Sequence, residues 1–82
     1  MSKLYPGIYL GIVTAADDPE RRARLQVGVP ALGIDASWAQ PCVAYTGSRA
    51  AAKVPPAGTQ VWIAFVGGRL DEPVWIGVLP RG

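Results

Sequence analysis

The sequence predicts an all-β domain built as a small barrel of five strands. The chain has 82 residues, which fits a single domain with one core. Ten Gly and eight Pro indicate frequent turns, and five segments rich in β-branched or aromatic residues lie between them. Half of the residues are hydrophobic and only 17% are charged, which excludes a disordered tail and favours a packed domain.

The first strand is predicted over residues 7–15, GIYLGIVTA, where two sets of mainly apolar side chains alternate. Gly11 permits the bend that a strand needs to coil around a small barrel. Residues 17–22, DDPERR, follow as a polar turn, because Asp and Pro favour turn positions. An alternative calcium loop is disfavoured, since the Gly and terminal Glu of known calcium loops are absent and two arginines adjoin the acids.

The second strand, over residues 23–30, has the clearest alternation of the chain. We expect its apolar side chains inside the barrel, namely Leu25, Val27 and Val29. Its other side chains are expected outside, namely Arg24, Gln26 and Gly28. Residues 31–36 are predicted as a connection. The third strand is predicted over residues 37–43, and Pro41 within it indicates an edge or a bulge.

Residues 45–58 are predicted as the main irregular segment of the chain. Ser48 could cap a helical turn over residues 49–53, so we expect at most one short helical turn between the third and fourth strands. A phosphate-binding loop does not fit, because no Gly-Lys-Ser/Thr sequence follows at the required spacing.

The closing hairpin consists of predicted strands at residues 61–66 and 74–79, joined by a turn that contains Gly67, Gly68 and Pro73. Both strands are apolar on both faces, whereas a small antiparallel sheet usually exposes one polar face. We expect one face inside the barrel, namely Val61, Ile63, Phe65, Val74 and Ile76. The opposite face carries Trp62, Trp75 and Leu79, and it needs cover from a partner or from residues 45–58.

This order of elements matches a known barrel architecture. Five strands, with the only predicted helical turn between the third and fourth, is the order of an OB-fold. The prediction is therefore a five-stranded OB-fold Greek-key barrel that spans residues 1–82 as one domain.

The composition argues against an enzyme, a cofactor protein or a metal protein. The chain has no His, which is the commonest general base and metal ligand. A glycosidase needs two carboxyl groups across a cleft, but all six acidic residues lie in predicted turns and connections. The single Cys42 excludes an internal disulfide and indicates assembly in a reducing cytoplasm. No membrane-spanning segment is predicted.

Several motifs together carry a resemblance to one family. They are the run Tyr5 to Tyr9, the Asp18-Pro19 turn leading into R-x-x-V-x-V-P from Arg24 to Pro30, Trp38 to Pro41, and the closing hairpin from Pro56 to Gly77. The chain resembles the OB-fold domain of phage baseplate hub and central spike proteins. This domain also occurs in the valine-glycine-repeat spike proteins of type VI secretion and related contractile injection systems.

The resemblance implies a structural role at the centre of a phage tail baseplate, where the tail tube meets the spike. It also implies a homotrimer in the virion tail, assembled in the bacterial host cytoplasm. Larger members carry lysozyme or β-helix domains that this sequence of 82 residues does not contain, so their puncturing activity is not transferred. We expect a stand-alone hub or spike-base protein, or a piece of a longer one.

Two functions follow as hypotheses. The first is a non-enzymatic assembly protein whose partners are further copies of itself and the hub, tube or spike proteins. Its candidate contact residues are Trp62, Trp75, Leu79, Tyr45, Arg22 and Arg49. The second is a single-stranded nucleic-acid binder, which many OB-folds are, although the expected platform on the second and third strands offers only Trp38.

Overall fold

The computed structural model describes residues 3–42 and 54–80, which form a closed barrel. The strands are β1 (Tyr9–Ala15), β2 (Leu25–Val29), β3 (Ile34–Pro41), β4 (Gln60–Phe65) and β5 (Pro73–Val78). Their order around the barrel is β1-β2-β3-β5-β4, and β4 pairs with β1 to close the ring. Only the β3–β5 pair is parallel among these strands. The predicted five-stranded OB-fold barrel is confirmed.

Short 3-10 turns are the only helical elements in the described ranges, at Pro30–Leu32 and Val66–Gly68. The first covers the start of the connection predicted at residues 31–36, and β3 takes the end of that connection from Ile34 onward. Gly33 ends this turn with a φ of 69° and reverses the chain, so β3 begins pairing at Ile34 with Val29. The helical turn predicted at residues 49–53 lies outside the described residues.

The interior of the barrel contains most of the side chains that alternation predicted. Six of the eight expected core residues are buried, namely Leu25, Val27, Val29, Val61, Ile63 and Phe65. Val13, Ala39 and Trp75 complete the buried cluster. On β2 and β4, the pairing register places the predicted apolar set inside the barrel, so these core predictions are confirmed.

The predicted inner face of β5 is wrong. Trp75 lies inside with only 7% of its surface exposed, whereas Ile76 is 44% exposed and Val74 is half-buried. The cause is the β4–β5 register, which pairs Trp75 with the buried Ile63. Adjacent strand residues point to opposite faces, so Ile76 is directed outward.

Gly28 is also placed differently from the prediction, because it is buried rather than outward-facing. It lies where β2 and β3 shift register between the Val27–Ser37 and Val29–Ile34 pairs. A Cβ atom at Gly28 would lie 3.0 Å from the carbonyl oxygen of Asp35. Such close backbone approach requires glycine.

We expect Gly28→Ala to lower the free energy of unfolding by about 1–3 kcal/mol, because backbone oxygens cannot rotate away from the added methyl group. Denaturant unfolding followed by circular dichroism measures this loss. Gly77→Ala is the matched control in β5, since a Cβ atom there would meet no atom within 4 Å. Equal stability of the two variants would contradict the close packing at Gly28.

Candidate functional site

An apolar surface covers the outer side of three neighbouring strands. Leu10 on β1 pairs with Trp62 on β4, which in turn pairs with Gly77 on β5. Trp62 lies between the buried Val61 and Ile63, so its side chain is directed outward, where it is half-buried. The surface continues along β1 and onto β5. We call this surface the outer apolar face, and it consists of Ile8, Leu10, Ile12, Trp62 and Ile76.

The side chains of the outer apolar face are open to solvent. Ile8 is 59% exposed, and Leu10 and Ile12 are each exposed by more than a third. Scattered apolar residues are ordinary on a protein surface, but a contiguous group on paired strands is typical of a site that contacts another molecule.

No charged residue occurs within β1, β4 or β5, whose sequences are YLGIVTA, QVWIAF and PVWIGV. Charged residues instead occupy the connections at the ends of these strands, such as Arg69, Asp71 and Glu72 in the β4–β5 turn. The outer apolar face therefore offers a partner neither a charge to pair with nor a charge that must be desolvated. Its chemistry fits an equally uncharged protein surface.

The β1–β2 loop, residues 16–24, carries a compact charged cluster centred on Asp18. The Asp18 carboxylate accepts hydrogen bonds from the backbone N–H groups of Glu20, Arg22 and Arg24, at 2.9, 2.9 and 3.3 Å. It also accepts bonds from the Arg24 guanidinium, through Nε at 3.0 Å and Nη2 at 2.9 Å. Only 3% of the Asp18 side chain is exposed. One carboxylate thus organises the whole loop.

The cluster shifts the pKa values of both partners. The Arg24 guanidinium holds the pKa of Asp18 well below its usual range, against the effect of burial, and the backbone N–H groups lower it further. The Asp18 carboxylate in turn raises the pKa of Arg24. This ion pair therefore stays charged throughout the neutral range, and its oxygen atoms are already engaged by internal donors rather than arranged for a metal ion.

The polar side of the barrel, on β2 and β3, is where an OB-fold nucleic-acid platform was expected. Arg24 stacks over the Trp38 ring with its guanidinium carbon 4.8 Å from the ring centroid. This contact covers one face of the ring, and Asp18 and Glu20 pair with the Arg24 charge. The part of the chain that the structure describes therefore offers no observation that favours the nucleic-acid hypothesis.

Comparison with known proteins identifies the family of this chain. Residues 9–79 match the family described as the type VI secretion system/phage-baseplate injector OB domain. The chain belongs to this family. No curated protein matches the sequence. The match spans every strand of the barrel and confirms the resemblance given by the sequence motifs.

The injector OB domain places the predicted contact residues in different environments. Trp62 lies on the outer apolar face, and Leu79 is half-buried just beyond β5, where its N–H donates to the Gln60 carbonyl at 3.0 Å. Arg22 is exposed in the β1–β2 loop and forms an ion pair with Glu20 at 3.3 Å. Trp75 is buried, so it offers a partner little surface. Tyr45 and Arg49 lie outside the described residues.

Sequence reasoning missed part of the injector OB domain's outer apolar face. Alternation groups Ile8, Leu10 and Ile12 on one face of the first strand, but the sequence predictions assign no contact role to them. The available signal was the same as at Trp62, since β1 is also apolar on both faces. Only the register shows that Leu10 lies beside Trp62 on the outside.

Metal-ligating clusters and membrane-spanning helices are not found in the described part of the injector OB domain. No group of three metal-ligating side chains occurs within residues 3–42 and 54–80. The same ranges contain no helix long and apolar enough to cross a bilayer.

Proposed function

We propose that this injector OB domain is a non-enzymatic structural component of a phage tail baseplate or a related contractile injection system. Its place is the hub or spike base, where the tail tube joins the spike. The working unit is a homotrimer in the virion tail, assembled in the host cytoplasm. The observation that carries the proposal is the uncharged outer apolar face on β1, β4 and β5.

Burial of apolar area explains why this face would assemble subunits. Removing apolar surface from water yields about 25 cal/mol for each Å², and aromatic side chains such as Trp62 contribute the largest areas. A second copy of the chain supplies a surface of the same uncharged chemistry. Cyclic symmetry then limits growth, because the last subunit meets the first. The number three comes from the family resemblance, since physical chemistry accepts a dimer as readily.

The positions of the acidic residues support a role without catalysis. Asp17, Asp71 and Glu72 are exposed in connections rather than placed inside the barrel. Asp18 is the buried exception, and its oxygen atoms are engaged by Arg24 and by backbone N–H groups. Hydrolysis of a glycosidic bond requires an acid with a raised pKa, whereas the pKa of Asp18 is lowered.

We expect Trp62→Glu to convert the trimer into a folded monomer, because a charge on the outer apolar face would lose its hydration at the subunit contact. Light scattering reports the mass, and circular dichroism on the same samples reports the fold. Ala36→Glu is the matched control, since Ala36 is exposed on the part of β3 that pairs with β2, where no residue of this face lies. The control should remain a trimer with unchanged thermal stability.

The parent protein gives the decisive comparison. A parent chain that stays monomeric at high micromolar concentration, with Trp62 already shielded from an added quencher, would contradict the trimer. Dissociation of Ala36→Glu to the same extent as Trp62→Glu would show that the contact does not lie on the outer apolar face.

A further inference from the structure

The junction between β3 and β5 is the shortest strand pairing in the barrel. Its register joins Gln40 to Val74 and Pro41 to Trp75. The Cys42 N–H extends it by donating to the Trp75 carbonyl at 3.0 Å. Pro41 has no N–H to contribute, and parallel pairs are slightly less stable per residue than antiparallel ones. On these grounds the barrel should open at this junction before it opens elsewhere.

The β1–β2 loop contacts both strands of this junction through their tryptophans. The Trp75 indole Nε1–H on β5 donates to the Ala23 carbonyl at 3.1 Å. The Arg24 guanidinium covers Trp38 on β3. Two consecutive loop residues therefore connect β5 and β3 across the short junction.

The loop conformation that makes these contacts depends on Asp18. Arg21 and Ala23 have φ angles of 54° and 60°, in the left-handed region that residues with a Cβ atom avoid. Such a conformation persists only when surrounding contacts hold it. The bonds from Asp18 to the N–H groups of Arg22 and Arg24 flank Ala23 on both sides and supply those contacts.

We propose that the β1–β2 loop is a conformational latch, in which Asp18 holds Ala23 and Arg24 against the β3–β5 junction and its release opens that junction without unfolding the barrel. Among the described residues, seven of the nine members of the buried cluster lie on β1, β2 and β4, so most of the core stays in place when the junction opens. Local openings of this kind occur at free energies below that of global unfolding. The latch gives the domain a second state in which backbone groups of β3 and β5 are exposed.

Asp18→Asn tests the latch, because it keeps the side-chain shape and removes the charge and one acceptor oxygen. Hydrogen exchange measured by NMR should show the Trp75 indole N–H and the Cys42 amide exchanging about tenfold faster or more. The Val13 amide is the internal reference, since it donates to the Thr59 carbonyl in the connection leading to β4. Its exchange rate should change far less. Asp17→Asn, with the same change at an exposed neighbour, should leave all three rates unchanged.

Two other patterns of hydrogen exchange would overturn the latch. Equal acceleration at Trp75, Cys42 and Val13 would show general destabilisation, and unchanged rates would show no coupling; either result overturns the latch. If Asp18→Asn does not fold, Arg24→Met keeps the backbone bonds to Asp18 and applies the same measurement. That variant should still accelerate the Trp75 and Cys42 protons selectively, and uniform or absent acceleration in it overturns the proposal.

Discussion

Trp75→Ala should remove most of the stability of the domain, with a loss of about 3–5 kcal/mol in the free energy of unfolding. The indole is 7% exposed and lies opposite Ile63 in the centre of the β4–β5 pair. Truncation would leave a cavity and remove the hydrogen bond to the Ala23 carbonyl. Small domains have total stabilities of about 5–15 kcal/mol, so the variant should be partly unfolded at moderate temperature. Thermal and denaturant unfolding measure the loss.

Trp62→Ala is the matched control, because it makes the same chemical change on the opposite side of the hairpin. Trp62 is half-buried on the outer apolar face, so its truncation should cost a dissociated monomer about 1 kcal/mol or less. The comparison is made at concentrations where the chain is monomeric. If the two truncations destabilised the monomer equally, the faces assigned to β4 and β5 would be incorrect.

Phe65→Ala is the second large effect, with an expected loss of about 3–5 kcal/mol. Phe65 is 6% exposed, and its ring packs edge-on against Tyr9 with the ring centroids 5.7 Å apart. This geometry adds a favourable electrostatic contribution to the burial of the ring. The melting temperature should fall by well over ten degrees, since about 1 kcal/mol corresponds to 4–8 °C in a domain of this size.

Val66→Ala provides the reference for Phe65→Ala. Val66 is the next residue and is 52% exposed, so its truncation removes little buried area. A Phe65→Ala protein that melted within a degree or two of the parent would show that this face of β4 does not line the interior.

Phe65 and Trp75 show where sequence reasoning about the core succeeded and where it failed. The faces of β2 could be predicted because Arg24 and Gln26 alternate with apolar residues. Burying the polar set would cost free energy, so the apolar set is the one that lies inside. Both faces of β5 are apolar, so alternation gives no preference between Trp75 and Ile76. The choice depends on the register, which the β4–β5 turn sets and which a bulge near Trp62 then shifts.

One part of the candidate site could be predicted from the sequence, and another part could not. Trp62 could be identified because a barrel interior can accept only one face of its strand. The Asp18–Arg24 pair could not be identified, because its geometry depends on left-handed backbone at Arg21 and Ala23, which neither residue type favours. A motif of spaced charges in a turn does not distinguish a solvated loop from a hydrogen-bonded cluster.

The closure of the barrel by β1 and β4 has a consequence for when the outer apolar face forms. β2 follows β1 in the chain, but β4, which pairs Trp62 with Leu10, is synthesised much later. Pairing between segments so distant in sequence is slow, and apolar strands that wait for a partner are prone to aggregate. The outer apolar face comes into existence only when β1 and β4 have joined. Under the proposed function, assembly partners would therefore recognise the chain only after it has folded, and folding would precede entry into the baseplate.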